Sequence, residues 1–129
     1  MNAREKIESY LARLSLSFQE SAPDTWVVSD PPRGLQNLII ALTGNLVIMR
    51  MNVMEVPAQN REKLYGELLR LNASDLVHGA YGIDGRSVII IDTLESEGMG
   101  LEEFEASLDA IALAVAQHYR ILSPYRAKN

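Results

Sequence analysis

Apolar residues recur at two different spacings along the chain, and the change of spacing separates helices from strands. Ile7, Leu11 and Leu14 recur every three or four residues after Asn2, which favours a first helix capped by that asparagine. A longer stripe of the same period runs from about Gly100 to Leu122. It predicts a closing amphipathic helix.

Alternating residues at positions 46–54 predict a strand, the second of a pair that begins at Leu35. One face of this strand is wholly apolar and is expected to meet helices: Val47, Met49, Met51 and Val53. The opposite face is mixed, which indicates a half-covered surface or a surface for a partner: Leu46, Ile48, Arg50, Asn52 and Met54.

The clearest local signal is the pair Asp84-Gly85, which favours a two-residue hairpin because both turn positions need positive φ. It predicts paired strands at 76–83 and 86–94. The second is apolar on both faces, as expected of a central strand. Gly79 and Gly82 in the first are expected to leave room for a helix or a ligand.

The remaining segments complete the architecture. A helix is predicted from Asn60 to about Leu71, with Leu64 and Leu68 on one side, and two short strands are predicted within 17–30. The resulting order is α-ββββ-α-ββ-α. We predict an α+β fold in which one twisted antiparallel sheet carries the first and last helices on a face. At 129 residues, the whole chain is expected to form a single domain.

Composition narrows the classes of function. The chain has no cysteine, which removes disulfides and thiolate metal sites and fits a reducing compartment. Its net charge of −5 disfavours nucleic-acid binding, which needs clustered Lys and Arg. The sequence shows neither a signal region nor a run of about 18 apolar residues. We expect a cytoplasmic protein that binds no nucleic acid and no membrane.

No residue pattern points to catalysis, a cofactor or a metal. Glu102 and Glu105 are neighbours on one helix, whereas an acid–base pair needs carboxylates that face each other across a cleft. His78 has no second ligand at metal spacing. His118 is expected to lie at the edge of the apolar stripe and to interact with the last carbonyls of its helix. We therefore expect no enzyme.

Four segments carry a family resemblance that spans about Asn37 to Tyr119: Leu46–Arg50, Leu68–Asn72, His78–Gly85 and Ser107–Ala112. They resemble the YbjN family, which is similar in fold to the CesT-type chaperones of type III secretion. The resemblance implies a non-catalytic α+β module. Secretion chaperones of this fold form homodimers and hold an extended segment of a partner along apolar grooves, and YbjN-type proteins are described as regulators or chaperone-like proteins.

We expect a homodimeric, chaperone-like or regulatory module that binds a protein partner. Its binding or dimer surface is expected at Leu46, Ile48, Arg50 and Met54, with Leu64 and Leu68 as dimer candidates by analogy. The alternative is a small-molecule-sensing domain, in which Gly79 and Gly82 open a pocket beneath the last helix.

Overall fold

The computed structural model describes residues 1–126, which form three helices and six strands. The helices are α1 (Ala3–Arg13), α2 (Arg61–Ser74) and α3 (Leu101–Leu122). The strands are β1 (Ser17–Ala22), β2 (Thr25–Asp30), β3 (Leu35–Thr43), β4 (Leu46–Glu55), β5 (Ala80–Asp84) and β6 (Ser87–Glu95). Short 3₁₀ turns follow β2 at Pro31–Arg33 and α3 at Ser123–Tyr125. The predicted order of elements is confirmed.

All six strands belong to one antiparallel sheet, in the spatial order β1-β2-β3-β4-β6-β5. The strand that is apolar on both faces, β6, lies between β4 and β5, so its prediction as an internal strand is confirmed. The sheet edges are β1 and β5.

The helices cover a single face of this sheet. Inward side chains of the strands, among them Trp26, Ile40, Met49 and Ile90, form one buried cluster with apolar residues of all three helices. Of the four residues predicted to point inward, Val47, Met49 and Met51 are confirmed as core, whereas Val53 is only half-buried. Asn2 caps α1 as expected: its Oδ1 accepts a hydrogen bond from the Glu5 amide at 2.8 Å, and Glu5 completes a capping box.

The segment that precedes β5 differs from the prediction. The strand begins at Ala80 rather than Leu76, and residues 76–79 form a loop. Gly79 has φ +78°, and a Cβ placed on it would lie 2.7 Å from the carbonyl oxygen of Ile91. This glycine therefore permits a close backbone approach and leaves no room for a ligand.

Gly82 points away from the helices. It pairs with Ile89, whereas its neighbour Tyr81 is buried on the helix-covered side. The two glycines therefore do not open a pocket beneath α3, and the expectation that motivated a sensor domain is wrong for both positions.

The end of α2 fastens the edge strand β5. Asn72 lies within the helix, and its side chain bonds to the backbone of Tyr81. Its Oδ1 accepts from the Tyr81 amide at 2.7 Å, and its Nδ2 donates to the Tyr81 carbonyl at 3.1 Å. The side chain thus occupies backbone groups that an added strand would need.

His118 also departs from its prediction, because it is buried with 2% of its surface exposed rather than lying at the edge of the stripe. Its Nδ1 lies 2.7 Å from the Tyr81 hydroxyl and its Nε2 lies 3.1 Å from Asp75 Oδ2. Burial raises the pKa of the Tyr81 phenol above its ordinary range. The imidazole joins α3 to β5 and to the end of α2, and it does not bond the carbonyls of its own helix end.

Candidate functional site

Within residues 1–126, no helix packs on the second face of the sheet, which we call the helix-free face. Cross-strand pairing places its members on one surface, because residues directly opposite each other point to the same side. The pairs Val27–Ile39, Ile39–Arg50 and Arg50–Ile91 make one row across the sheet. The neighbouring row joins Thr25, Ala41, Ile48 and Thr93.

Three residues predicted from the alternation of β4 belong to the helix-free face. Leu46 is exposed, and Ile48 and Arg50 are partly exposed, all on the side opposite the core. Together with Ile39 and Ile91 they form a surface that is apolar at its centre, although no single strand pattern shows all five side chains as neighbours.

Met54, the fourth residue predicted for this surface, lies in the core instead. The register between β4 and β6 shifts between Asn52 and Met54, so one extra residue, Val53, enters the strand. The bulge turns Met54 to the helix-covered side, where it pairs with buried Val88. Its expected place on a binding surface is therefore corrected.

Leu64 and Leu68 are also part of the core, and this corrects their expected place at a dimer surface. They form the stripe by which α2 packs onto the domain. The opposite side of α2 carries Leu69, which is 68% exposed, beside Tyr65 and Gly66. These residues line a shallow apolar depression together with Glu62, Lys63 and Arg70.

An ion pair crosses the helix-free face. Arg50 on β4 bonds to Asp84 on β5, and β6 lies between these strands. Ile89 of β6 lies on the same face between these strands, paired with Asn52 and Gly82, and it is only 6% exposed. Sequence reasoning missed Asp84 as a member of this surface, although its even spacing from Gly82 along β5 placed both on one face.

Beside the ion pair, the helix-free face contains an open cavity of about 680 Å³. Its lining is mainly polar: Gln36, Asn37, Ile39, Arg50, Asn52, Asp84 and Ser87. The face therefore has an apolar centre and one end that is rich in amide and charged groups. Such a surface suits binding of a polypeptide, whose backbone needs hydrogen-bond partners and whose apolar side chains need contact area.

Side chains that could ligate a metal are dispersed over residues 1–126. No three His, Asp or Glu side chains of this range lie together as a group able to hold a metal ion. In the same part of the chain, none of the helices is long and apolar enough to cross a membrane.

A family model matches nearly the whole chain. The CesT_Tir_1 model matches residues 1–128. The chain belongs to the CesT_Tir_1 family. None of the curated proteins matches it significantly.

Solved structures show the same fold at low sequence identity. YbjN from E. coli is 17% identical, with a TM-score of 0.71 and 91% of each chain covered. A chain of the heterodimeric ExoU–SpcU complex from the type III secretion system of Pseudomonas aeruginosa is 16% identical, with a TM-score of 0.73, covering 92% of this chain and 98% of that one. The Yersinia pestis type III secretion chaperone SycH, in complex with a fragment of YscM2, is 12% identical, with a TM-score of 0.66 and coverages of 90% and 98%. The resemblance to YbjN and the secretion-chaperone fold is confirmed.

Proposed function

We propose that this chain is a non-catalytic, chaperone-like or regulatory module of the cytoplasm that binds a protein partner as a homodimer. The observation that carries the proposal is the helix-free face, where apolar side chains of four adjacent strands lie outside the core. Val27, Ile39, Ile48 and Ile91 form its centre.

Physical chemistry favours a partner for this face. Single exposed apolar residues are ordinary, whereas a contiguous apolar patch with a polar rim is typical of an interaction surface. Here the rim includes Arg50, Asn52 and Asp84. The side chains at the centre of this face are not part of the core, so the chain can bind or release a partner there without a change of fold.

The structural neighbours supply support of a second kind. Two of them were solved as complexes with another protein, ExoU–SpcU and SycH with a YscM2 fragment. We carry over from them only the class of function, a protein that holds another protein.

Self-association is the part of the proposal that concerns α2. Glu62, Gly66 and Arg70 are spaced by four residues and share the outward side of the helix with Leu69. If two copies pack antiparallel across a two-fold axis at Gly66, Glu62 of one copy meets the partner's Arg70, and the reverse. The Arg70 guanidinium lies over Gly66, 3.4 Å from the place of a Cβ, and it turns towards the partner copy's Glu62 when the helices approach each other at this glycine. We propose this stripe as the dimer contact.

The test of partner binding is capture of proteins from the native lysate by three tagged forms of the chain. Wild type is compared with Ile48→Asp, on the helix-free face, and with Leu113→Asp, a control at a 56%-exposed leucine of α3. We expect one stoichiometric partner with wild type and with the control, and its loss with Ile48→Asp. Retention of the partner by a folded Ile48→Asp chain would remove the helix-free face from the proposal.

A further inference from the structure

We propose that the helix-free face recognises a partner segment in which a carboxylate side chain stands beside aliphatic ones, and that Arg50 is the residue that reads the carboxylate. This inference rests on the proposed function, because it names the chemistry of the partner that the same face would bind. It follows from the charge, the hydrogen bonding and the partial burial of the Arg50 side chain.

Arg50 is the one basic residue among those that line the cavity of the helix-free face. The other lining groups are amides, a hydroxyl, an isoleucine and one carboxylate. The cavity therefore contains one cation, Arg50, at the side of an apolar surface, and this cation is paired with Asp84. An incoming anionic group meets no second competing cation within the lining, so its position on the face would be defined.

The pairing of Arg50 leaves most of its hydrogen-bonding capacity open. Within residues 1–126, its guanidinium makes one hydrogen bond, from Nη2 to Oδ2 of Asp84. A guanidinium has five N–H donors in a planar fork that matches a carboxylate in two-point geometry. Nη2 carries two N–H groups, and Asp84 uses one of them. The other can pair with Nε–H or with an Nη1 N–H, so a second carboxylate can bind in two-point geometry while Asp84 stays in place.

The surroundings of Arg50 favour a strong contact. Its side chain is 32% exposed, whereas Asp84 is 58% exposed, so the cation is the more sheltered partner of the pair. Reduced solvent access strengthens a charge-assisted hydrogen bond relative to one at a fully exposed site.

Aliphatic neighbours define the rest of the segment. Ile39 and Ile91 are paired directly with Arg50 on either side, and Ile48 lies two residues away on the same strand. A segment that places its carboxylate over Arg50 therefore lays its adjacent side chains on isoleucine. Asn52 and Asn37 at the polar end offer amide groups to the segment's backbone. The partner chemistry is thus an acidic residue flanked by aliphatic residues.

The inference is tested with a phage-displayed library of random 12-residue peptides selected on the wild-type protein. Enriched peptides are synthesised with a fluorescent label, and their Kd is measured by anisotropy on wild type, Ile48→Asp, Arg50→Met and Arg33→Met. Arg33 is the matched control, since it is 35% exposed and is likewise paired with carboxylates. These are Glu105 and Asp109 of α3 and Asp30 at the end of β2. Thermal unfolding of each variant checks that it is folded.

We expect enriched peptides to carry Asp or Glu beside aliphatic residues. Arg50→Met should weaken their binding about tenfold or more, and Arg33→Met should leave it within about twofold. Replacing the peptide's carboxylate by its amide should weaken binding to wild type by a similar factor and have little further effect on Arg50→Met, as coupled groups behave in a double-mutant cycle.

Two results overturn the inference in distinguishable ways. If peptides bind in an Ile48-dependent manner but are indifferent to Arg50→Met or to loss of their carboxylate, Arg50 does not read a carboxylate, and the proposed binding face stands. If no selected peptide depends on Ile48 or on Arg50, both the inference and the binding of polypeptide segments at this face are refuted.

Discussion

Substitution of Gly79 by alanine tests the close contact that joins the start of β5 to β6. Two costs are expected. Positive φ at a residue with a Cβ costs about 1–2 kcal/mol, and Gly79 has φ +78°. The new Cβ would also lie 2.7 Å from the Ile91 carbonyl oxygen, and this backbone atom can yield only if the β5–β6 pairing shifts. Overpacking of that kind costs about 1–3 kcal/mol.

Gly85 offers a control that separates these two costs. It also has positive φ, +59°, but nothing lies within 4 Å of a Cβ placed on it. Gly85→Ala should therefore show the backbone cost alone, and the entropy that alanine removes from the unfolded chain is common to both variants. We expect Gly79→Ala to lose about 1–3 kcal/mol more free energy of unfolding than Gly85→Ala.

Urea denaturation measures this difference directly, provided that the slope m is the same for the three proteins. Equal losses for the two variants, within about 0.5 kcal/mol, would refute the contact as the reason for glycine at position 79. A smaller loss for Gly79→Ala than for Gly85→Ala would refute the backbone geometry as well.

Three further predictions concern other contacts. His118→Phe should lower the free energy of unfolding by about 1–3 kcal/mol in urea titrations. It removes the 2.7 Å bond of the buried Tyr81 hydroxyl and leaves that hydroxyl with a 3.5 Å contact to the Ala114 carbonyl oxygen; an unchanged value would contradict the role of the bond to His118. The hydrogen bond from Arg4 lowers the pKa of Glu20 in the folded protein below its unfolded-state pKa of 4.5. The ion pair therefore stabilises the fold fully at pH values above 4.5, and this stabilisation is lost as the pH falls through the folded-state pKa of Glu20. Arg4→Met should therefore make the free energy of unfolding less dependent on pH below pH 4.5. An unaltered slope would show that the Arg4–Glu20 pair does not stabilise the fold. Glu62→Arg should weaken the dimer in analytical ultracentrifugation, and adding Arg70→Glu should restore it; a double variant as weak as the single one would exclude the antiparallel contact.

The parts of the fold that sequence predicts are those fixed by local chemistry. Asn2 followed by Glu5 is a capping signal, and the structure shows both bonds of the box. The hairpin between β5 and β6 and the alternation of β4 up to Asn52 likewise depend on residues close in sequence. The turn itself lies one residue later than predicted: Asp84 pairs with Ser87, so the two turn residues are Gly85 and Arg86, and of the predicted pair only Gly85 has positive φ. Each of these patterns determines the local backbone conformation by itself, so each can be predicted without knowledge of the rest of the chain.

The residues that were wrongly predicted are those whose surroundings a local sequence pattern does not determine. A period-two pattern cannot show where an extra residue enters, so the bulge at Val53 reversed the side on which Met54 lies. A helical stripe shows that Leu64 and Leu68 share a side, but not whether that side meets its own sheet or another molecule. His118 was misjudged because its partners, Tyr81 and Asp75, are far away in sequence.

The sheet edges give a last reason to assign partner binding to the helix-free face. At one edge, Asn72 occupies the backbone groups of Tyr81. At the other, the register of β1 shifts after Glu20, whose side chain is paired with Arg4. A bulge and charged residues are devices that discourage strand addition. Because Asn72 occupies part of one edge, a register shift interrupts the other, and helices fill the opposite face, the helix-free face is the broad surface of the described chain that is best suited to a partner.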